Sequence, residues 1–241
     1  MSPLPLLGTF HELSIATDDV RGAVEFYERL GFTQASTSDA FTHPYGVLTD
    51  GRLFLGLHRR AGPAAVLTFV RPGLAQQLAQ FDAAGLTISH RALGEDVFHR
   101  IGLEDPAGNA LEVLEARTYS PVTRAASETS LCGDFAEISL PAADFAAARA
   151  FWEPLGFVAA DEEATPYPHL PLTSDYLDLS FHPPRLCPSA MLVFRDPDMP
   201  ARIERLHTAG LELGTLGRGA GAPARLLAPD ATPLVLMASQ V

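Results

Sequence analysis

Residues 10–32 read FHELSIATDDVRGAVEFYERLGF, and residues 135–157 read FAEISLPAADFAAARAFWEPLGF. The two stretches align at a constant offset of 125 residues, which places Glu12 on Glu137, Ser14 on Ser139 and Asp19 on Asp144. It also places Phe26 on Phe151 and Leu30-Gly31-Phe32 on Leu155-Gly156-Phe157. A repeat of this period decides the fold before any local feature does, because each copy must be one structural unit. Within each copy the pattern is strand, helix, strand. In HELSIAT, Leu13 and Ile15 point one way while Glu12, Ser14 and Ala16 point the other. AEISLP sets Ile138 and Leu140 against Glu137 and Ser139 in the same manner. Asp18 or Asp19 can cap a helix over residues 20–30, with Ala23, Phe26, Tyr27 and Leu30 on one face. Gly31 and Gly156 stand where a helix-closing glycine belongs.

Two further runs alternate, RLFLGLH (52–58) and YLDLSFH (176–182). Leu53, Leu55 and Leu57 oppose Phe54, Gly56 and His58, and Leu177, Leu179 and Phe181 oppose Asp178, Ser180 and His182. A weaker echo then starts inside each copy. AAVLTFV (64–70) leads into a helix closed by Gly85, and SAMLVFR (189–195) into one closed by Gly210. Strands near 97–104 and 109–115, then 224–228 and 233–238, finish the halves. The expectation is an α+β protein of four strand–helix–three-strand (βαβββ) units in two halves. The boundaries fall at 1–118 for the first domain, 119–130 for a linker and 131–241 for a more degenerate second domain.

The chain has 241 residues, 47% hydrophobic and 19% charged, so packed cores are expected. Its formal net charge is −12, which argues against sequence-independent nucleic-acid binding, since that rests on Lys and Arg neutralising phosphates. The only cysteines, Cys132 and Cys187, form no CxxC pair, which suits a reducing compartment. MSPLPLLGTF lacks the charge and apolar core of a signal peptide, and no run reaches membrane-spanning length. These readings imply a cytoplasmic protein, monomeric or homodimeric, that takes a small molecule rather than a membrane or nucleic acid. GRGAGA (217–222) fits a loose dinucleotide-loop pattern but runs into Pro223 and a strand, so it reads as a turn.

The repeated strand–Asp–helix–LGF pattern is followed by Asp105-Pro106-Ala107-Gly108-Asn109 and Leu111-Glu112-Val113. Together they resemble the vicinal oxygen chelate superfamily, here as a tandem two-domain member. That group holds glyoxalase I, bleomycin- and fosfomycin-resistance proteins and extradiol dioxygenases. The resemblance implies two glyoxalase-like domains of paired βαβββ units, with curled mixed sheets around clefts, and it does not by itself fix a reaction. It also implies metal-ligand positions on the first and last strands of paired units. These positions fall on Glu12, on Gly56 or His58, on Val66 and on Glu112 in the first half, and on Glu137, His182, Met191 and Val235 in the second. Glu12, His58 and Glu112 then form a candidate set for one divalent ion of the Mn, Fe, Ni or Zn kind. The other expectation is a metal-free cleft, like that of bleomycin-resistance proteins, in which Glu12 and Glu137 are hydrogen-bonding wall groups. Ser14, Ser139, Phe54, Glu137 and His182 are the further ligand-cleft candidates. If the units pair within each half, Glu112 shares a cleft with Glu12 and His58. If unit one pairs with unit four, Glu112 joins Glu137 and His182 instead. No catalytic residue is assigned.

Overall fold

A computed structural model describes residues 5–35, 43–95, 97–116, 130–217 and 221–239. All but one of the residues expected to form the linker lie outside this set, as does the centre of GRGAGA. Strand β1 (Thr9–Ala16) opens the first half, and helix α1 (Val20–Arg29) follows. Asp19 caps the helix, its Oδ1 accepting the Gly22 amide at 2.9 Å, and Ala23, Phe26 and Tyr27 are the buried side chains. Next come β2 (Thr33–Gln34), β3 (Tyr45–Thr49), β4 (Phe54–His58), β5 (Ala65–Val70), α2 (Leu74–Ala83), β6 (Ile88–Ala92), β7 (Arg100–Glu104) and β8 (Ala110–Leu114).

The second half repeats this order with β9 (Asp134–Pro141), α3 (Phe145–Trp152), β10 (Val158–Ala159), β11 (Leu170–Thr173) and β12 (Asp178–His182). It continues with β13 (Met191–Asp196), α4 (Met199–Thr208), β14 (Leu213–Thr215), β15 (Ala224–Leu227) and β16 (Pro233–Ala238). Asp144 caps α3 through the Ala147 amide. That helix tightens into a 3₁₀ turn at Glu153–Leu155, because Pro154 has no N–H to continue the α pattern. Gly31 and Gly156 sit at φ +92° and +98°, the left-handed geometry that ends a helix without Cβ strain.

Each half is one open eight-stranded mixed sheet. The orders are β2-β3-β4-β1-β5-β8-β7-β6 and β10-β11-β12-β9-β13-β16-β15-β14. The fold is therefore two sheets of two βαβββ units each, as the repeat implied, in the glyoxalase-like arrangement that the family resemblance implied. Unit one joins unit two through the antiparallel β1–β5 pair, and unit three joins unit four through β9–β13. Pairing is thus within halves, and Glu12, His58, Val66 and Glu112 belong to one sheet.

Three strand expectations need trimming. The run 52–58 begins as a strand only at Phe54, because Asp50 Oδ1 accepts the amides of Arg52 and Leu53 at 2.8 Å each and holds them in a turn. The run 176–182 begins at Asp178, and 97–104 at Arg100. The outer strands β2, β6 and β10 are short or exposed on both faces, so they carry no alternating apolar signal.

Helix-facing side chains of both sheets belong to one contiguous buried cluster that includes Leu13, Leu55, Phe81, Ile138, Phe181 and Leu234. The halves also bond directly. The Leu131 amide donates to Leu30 O at 2.7 Å, Asn109 Nδ2 to Pro141 O at 3.1 Å, and Trp152 Nε1 to Asp105 Oδ2 at 3.4 Å. The clefts lie on the opposite faces of the sheets. Among the described residues no helix is long and apolar enough to cross a membrane.

Candidate functional site

On the first sheet, alternation turns Glu12 and Ser14 of β1 away from the core residues Leu13 and Ile15, as expected. The register aligns Glu12 with Thr68 of β5, and Thr68 with Glu112 of β8. A second row runs from Gly56 through Ser14 to Val66. His58 ends β4 beside Ala16. A cleft of about 520 Å³ opens over this face, with Ser14, His43, His58, Arg60, Arg100 and Glu112 in its wall.

The polar groups are already engaged with one another. His58 Nε2 donates to Glu12 Oε1 at 3.0 Å, and Ser14 Oγ donates to the same oxygen at 2.7 Å. Thr68 Oγ1 lies 2.9 Å from Ser14 Oγ and supplies its proton. His43 Nε2 lies 3.0 Å from His58 Nδ1, and the Tyr45 ring stacks on His58 at 5.4 Å between centroids. Burial pushes the Glu12 carboxyl up, but His58, His11 and Ser14 together outweigh it, and the carboxyl stays below its usual range. Glu12 is therefore a buried carboxylate held by hydrogen bonds.

A register shift between Phe10 and Glu12 takes His11 out of the ladder. Alternation places His11 on the helix side with Leu13. The bulge instead leaves it partly exposed, with Nε2 3.9 Å from Glu12 Oε2. Glu112 is reached by Arg100 Nη1 at 3.4 Å. Phe54 has the phase of Glu12 and is partly exposed, but it stands outside the cleft wall.

The second sheet answers each position differently. Register sets Glu137 against Val193, and Val193 against Val235, so the row that is Glu–Thr–Glu in the first half is Glu–Val–Val here. Ser139 lies beside Met191. Tyr167, Cys187, Met191, Val193, Leu216, Val235 and Met237 pack into a separate buried cluster on this face. The second concave face thus carries an apolar cluster, and a cavity of about 900 Å³ opens beside its members Tyr167, Leu216 and Met237.

The Glu–His pair is also missing from the second half, and one residue accounts for it. Ser180 occupies the place of Gly56 and donates to Glu137 Oε1 at 2.9 Å. His182 turns to other partners. Its Nε2 donates to Cys187 O at 3.0 Å, and its Nδ1 accepts from Ser139 Oγ at 2.8 Å. Burial raises the Glu137 carboxyl and lowers the His182 imidazole to about 4. His182 is therefore neutral at pH 7, with its proton on Nε2 because a carbonyl can only accept.

In the first half, a Cβ added to Gly56 would meet Glu12 Oε1 at 2.2 Å and His58 Nε2 at 2.5 Å. Both atoms are buried and hydrogen-bonded, so neither moves cheaply. Gly56→Ala should destabilise the protein by about 1–3 kcal/mol. Gly56→Ser should cost less, because its hydroxyl can donate to Glu12 as Ser180 does to Glu137. Urea midpoints of the three proteins give the comparison, and an alanine variant as stable as the parent would contradict it.

The metal implied by the family resemblance does not fit these residues. Among the described residues no three His, Cys, Asp or Glu side chains converge as a metal-binding group. Val66 stands at one family ligand position, Glu12 and His58 are spent on each other, and Arg100 occupies Glu112. Two guanidinium groups in the same wall, Arg60 and Arg100, offset the charge that Glu104 and Glu112 would offer a dication. Of the proposed set, Glu12 and His58 are brought together at 3.0 Å, but Glu112 does not join them in a three-residue metal-binding group. Sequence reasoning missed His43, Arg60 and Arg100. Arg100 follows on the strand that pairs with Glu112, so its register was the available signal.

Neither a scan against protein-family models nor a search of curated proteins finds a match. Solved structures do match, at low identity. A catechol 2,3-dioxygenase is 16% identical with a TM-score of 0.62, the match covering 96% of this chain and 87% of that one. The 2,3-dioxygenase LapB from Pseudomonas sp. KL28 is 14% identical with a TM-score of 0.63, over 100% and 94%. A variant of homoprotocatechuate 2,3-dioxygenase from Brevibacterium fuscum is 16% identical with a TM-score of 0.63, over 99% and 73%. The chain has the vicinal oxygen chelate fold, and these neighbours are extradiol dioxygenases of that superfamily. At such identities the likeness is one of fold alone.

Proposed function

We propose that the chain binds a small organic molecule in the cleft of its first sheet, without a metal at the family position. The observation that supports this is the donor set of that cleft, in which Val66 replaces a ligand and the remaining candidates are hydrogen-bonded to side chains. A concave, partly polar cleft of about 520 Å³ is of the size that small ligands occupy. The reading divides the chain into domains 1–118 and 131–241 joined by 119–130, with the working cleft in the first.

A second reading has the comparisons behind it. The matched structures are extradiol dioxygenases, which favours a dioxygenase using one divalent ion over a sequestering protein of the bleomycin-resistance kind. In that reading Glu112 is the ligand to watch. Elemental analysis of purified protein, with oxygen uptake on catechol, separates the two. Under the metal-free reading no stoichiometric Mn, Fe, Ni or Zn is found after reconstitution, and Glu112→Gln weakens ligand binding by roughly 0.5–3 kcal/mol. One ion per chain, lost together with oxygen uptake in Glu112→Gln, would establish the dioxygenase instead.

A further inference from the structure

The first-half cleft contains a cation that the fold leaves unsatisfied. Arg60 is half-buried in the wall, and its Nη2 is shielded from solvent with no hydrogen-bond partner among the described residues. Burial lowers its pKa, while Glu112 and Glu12 act on it only through space, and Arg100 repels it. No ion pair joins Arg60 to either carboxylate. Arg100 is a second guanidinium in the same wall, 3.4 Å from Glu112 and only partly covered by it. Arginine stays protonated in proteins, so the charge cannot be shed. A buried N–H without an acceptor is costly, and the group that removes the cost is one that brings acceptor oxygens.

We propose that the ligand of this cleft is a small organic carboxylate, held by the Arg60 fork with Arg100 beside it. This rests on the first-sheet cleft being the binding site. A planar carboxylate offers two oxygens at the spacing of two guanidinium N–H groups, and such paired bonds are stronger than neutral ones. The wall also holds Glu104 and Glu112, so the preference for an anion rests on the unsatisfied Arg60 fork and not on a net positive cleft.

Benzoate and benzamide are nearly isosteric probes that differ in charge, and calorimetric titration of the full chain compares them. The wild type should prefer benzoate at least tenfold. Arg60→Gln should remove that preference by lowering benzoate affinity far more than benzamide affinity. Arg60→Lys, which keeps the charge and loses the fork, should lower benzoate affinity severalfold, and it serves as the readout if the glutamine variant misfolds. Equal affinity for the two probes, no benzoate binding, or benzoate binding unchanged in both Arg60 variants would overturn the proposal. Inorganic phosphate binding more tightly than benzoate would also overturn the assignment to carboxylates. Val66→Phe fills the cleft from its floor and tests the underlying reading. If it abolishes benzoate binding while the Arg60 variants do not, the cleft stands and the carboxylate assignment falls. If benzoate binding is unaffected by Val66→Phe, the cleft itself is the wrong site.

Discussion

Trp152→Ala should destabilise the protein by about 3–5 kcal/mol, the range for removing a fully buried large aromatic. The indole is 0% exposed and is the largest buried side chain of the core. It packs edge-on against Phe157 at 5.0 Å and Phe151 at 5.6 Å, and lies 6.2 Å from Phe181. Its Nε1 also crosses between the halves to Asp105 Oδ2. Trp152→Phe keeps part of the packing but loses that bond and leaves a smaller void, so about 1–3 kcal/mol is expected. Asp105 is not orphaned by it, because the amides of Ala107 and Asn109 and the Asn109 side chain still donate to its carboxylate. Because one core spans both halves, the alanine variant should still unfold in a single transition. Urea denaturation followed by circular dichroism measures both quantities. A loss below about 1 kcal/mol, or two separate transitions, would contradict this account.

Acidification should destabilise the protein through His182. The folded imidazole sits at about 4, well below the ordinary value of 6.5, because burial penalises its charged form. The folded state therefore binds fewer protons than the unfolded chain. Stability from this group is complete above about pH 6.5 and is lost progressively as pH falls towards 4. At full extent the loss is about 3 kcal/mol, from 1.36 kcal/mol per unit. The Glu12 carboxyl, held below its usual range, adds a further loss at the acid end of the window. The Glu137 carboxyl is raised and works the other way, favouring the folded state as pH falls. Glutamine can donate to Cys187 O and accept from Ser139 without titrating. His182→Gln should therefore flatten the stability profile between pH 6.5 and 4.5, and equal slopes in both proteins would refute the assignment.

The Asp105-Pro106-Ala107-Gly108-Asn109 motif shows how a family signature divides between architecture and chemistry. Asp105 Oδ1 accepts two amides of the turn between β7 and β8, and Asn109 and Trp152 tie that turn to the other half. The part of the signature that points most strongly to the family is thus engaged in holding the sheets together. Glu112, three residues past it, is the member that faces the cleft.

The repeat and the strand phases, that of His11 excepted, were determined by the sequence alone, which left the first helix cap open between Asp18 and Asp19. Those features depend on residues near in the chain, and the alternation of Leu13 and Ile15 against Glu12 and Ser14 is local. The pairing of units within each half was decided only by the tertiary structure, through the β1–β5 and β9–β13 ladders. So was the fate of the two matching Glu–His combinations inside the repeat. Glu12 reaches His58 because Gly56 leaves the space, whereas Ser180 fills that space and takes the Glu137 bond for itself. The contact depends on what a neighbouring strand places between the two side chains, and no spacing along one strand encodes that. Arg60 was illegible for a similar reason. A charge run in a loop reads as solvated surface, and only the folded sheet shows that one guanidinium nitrogen is shut away from water with no acceptor.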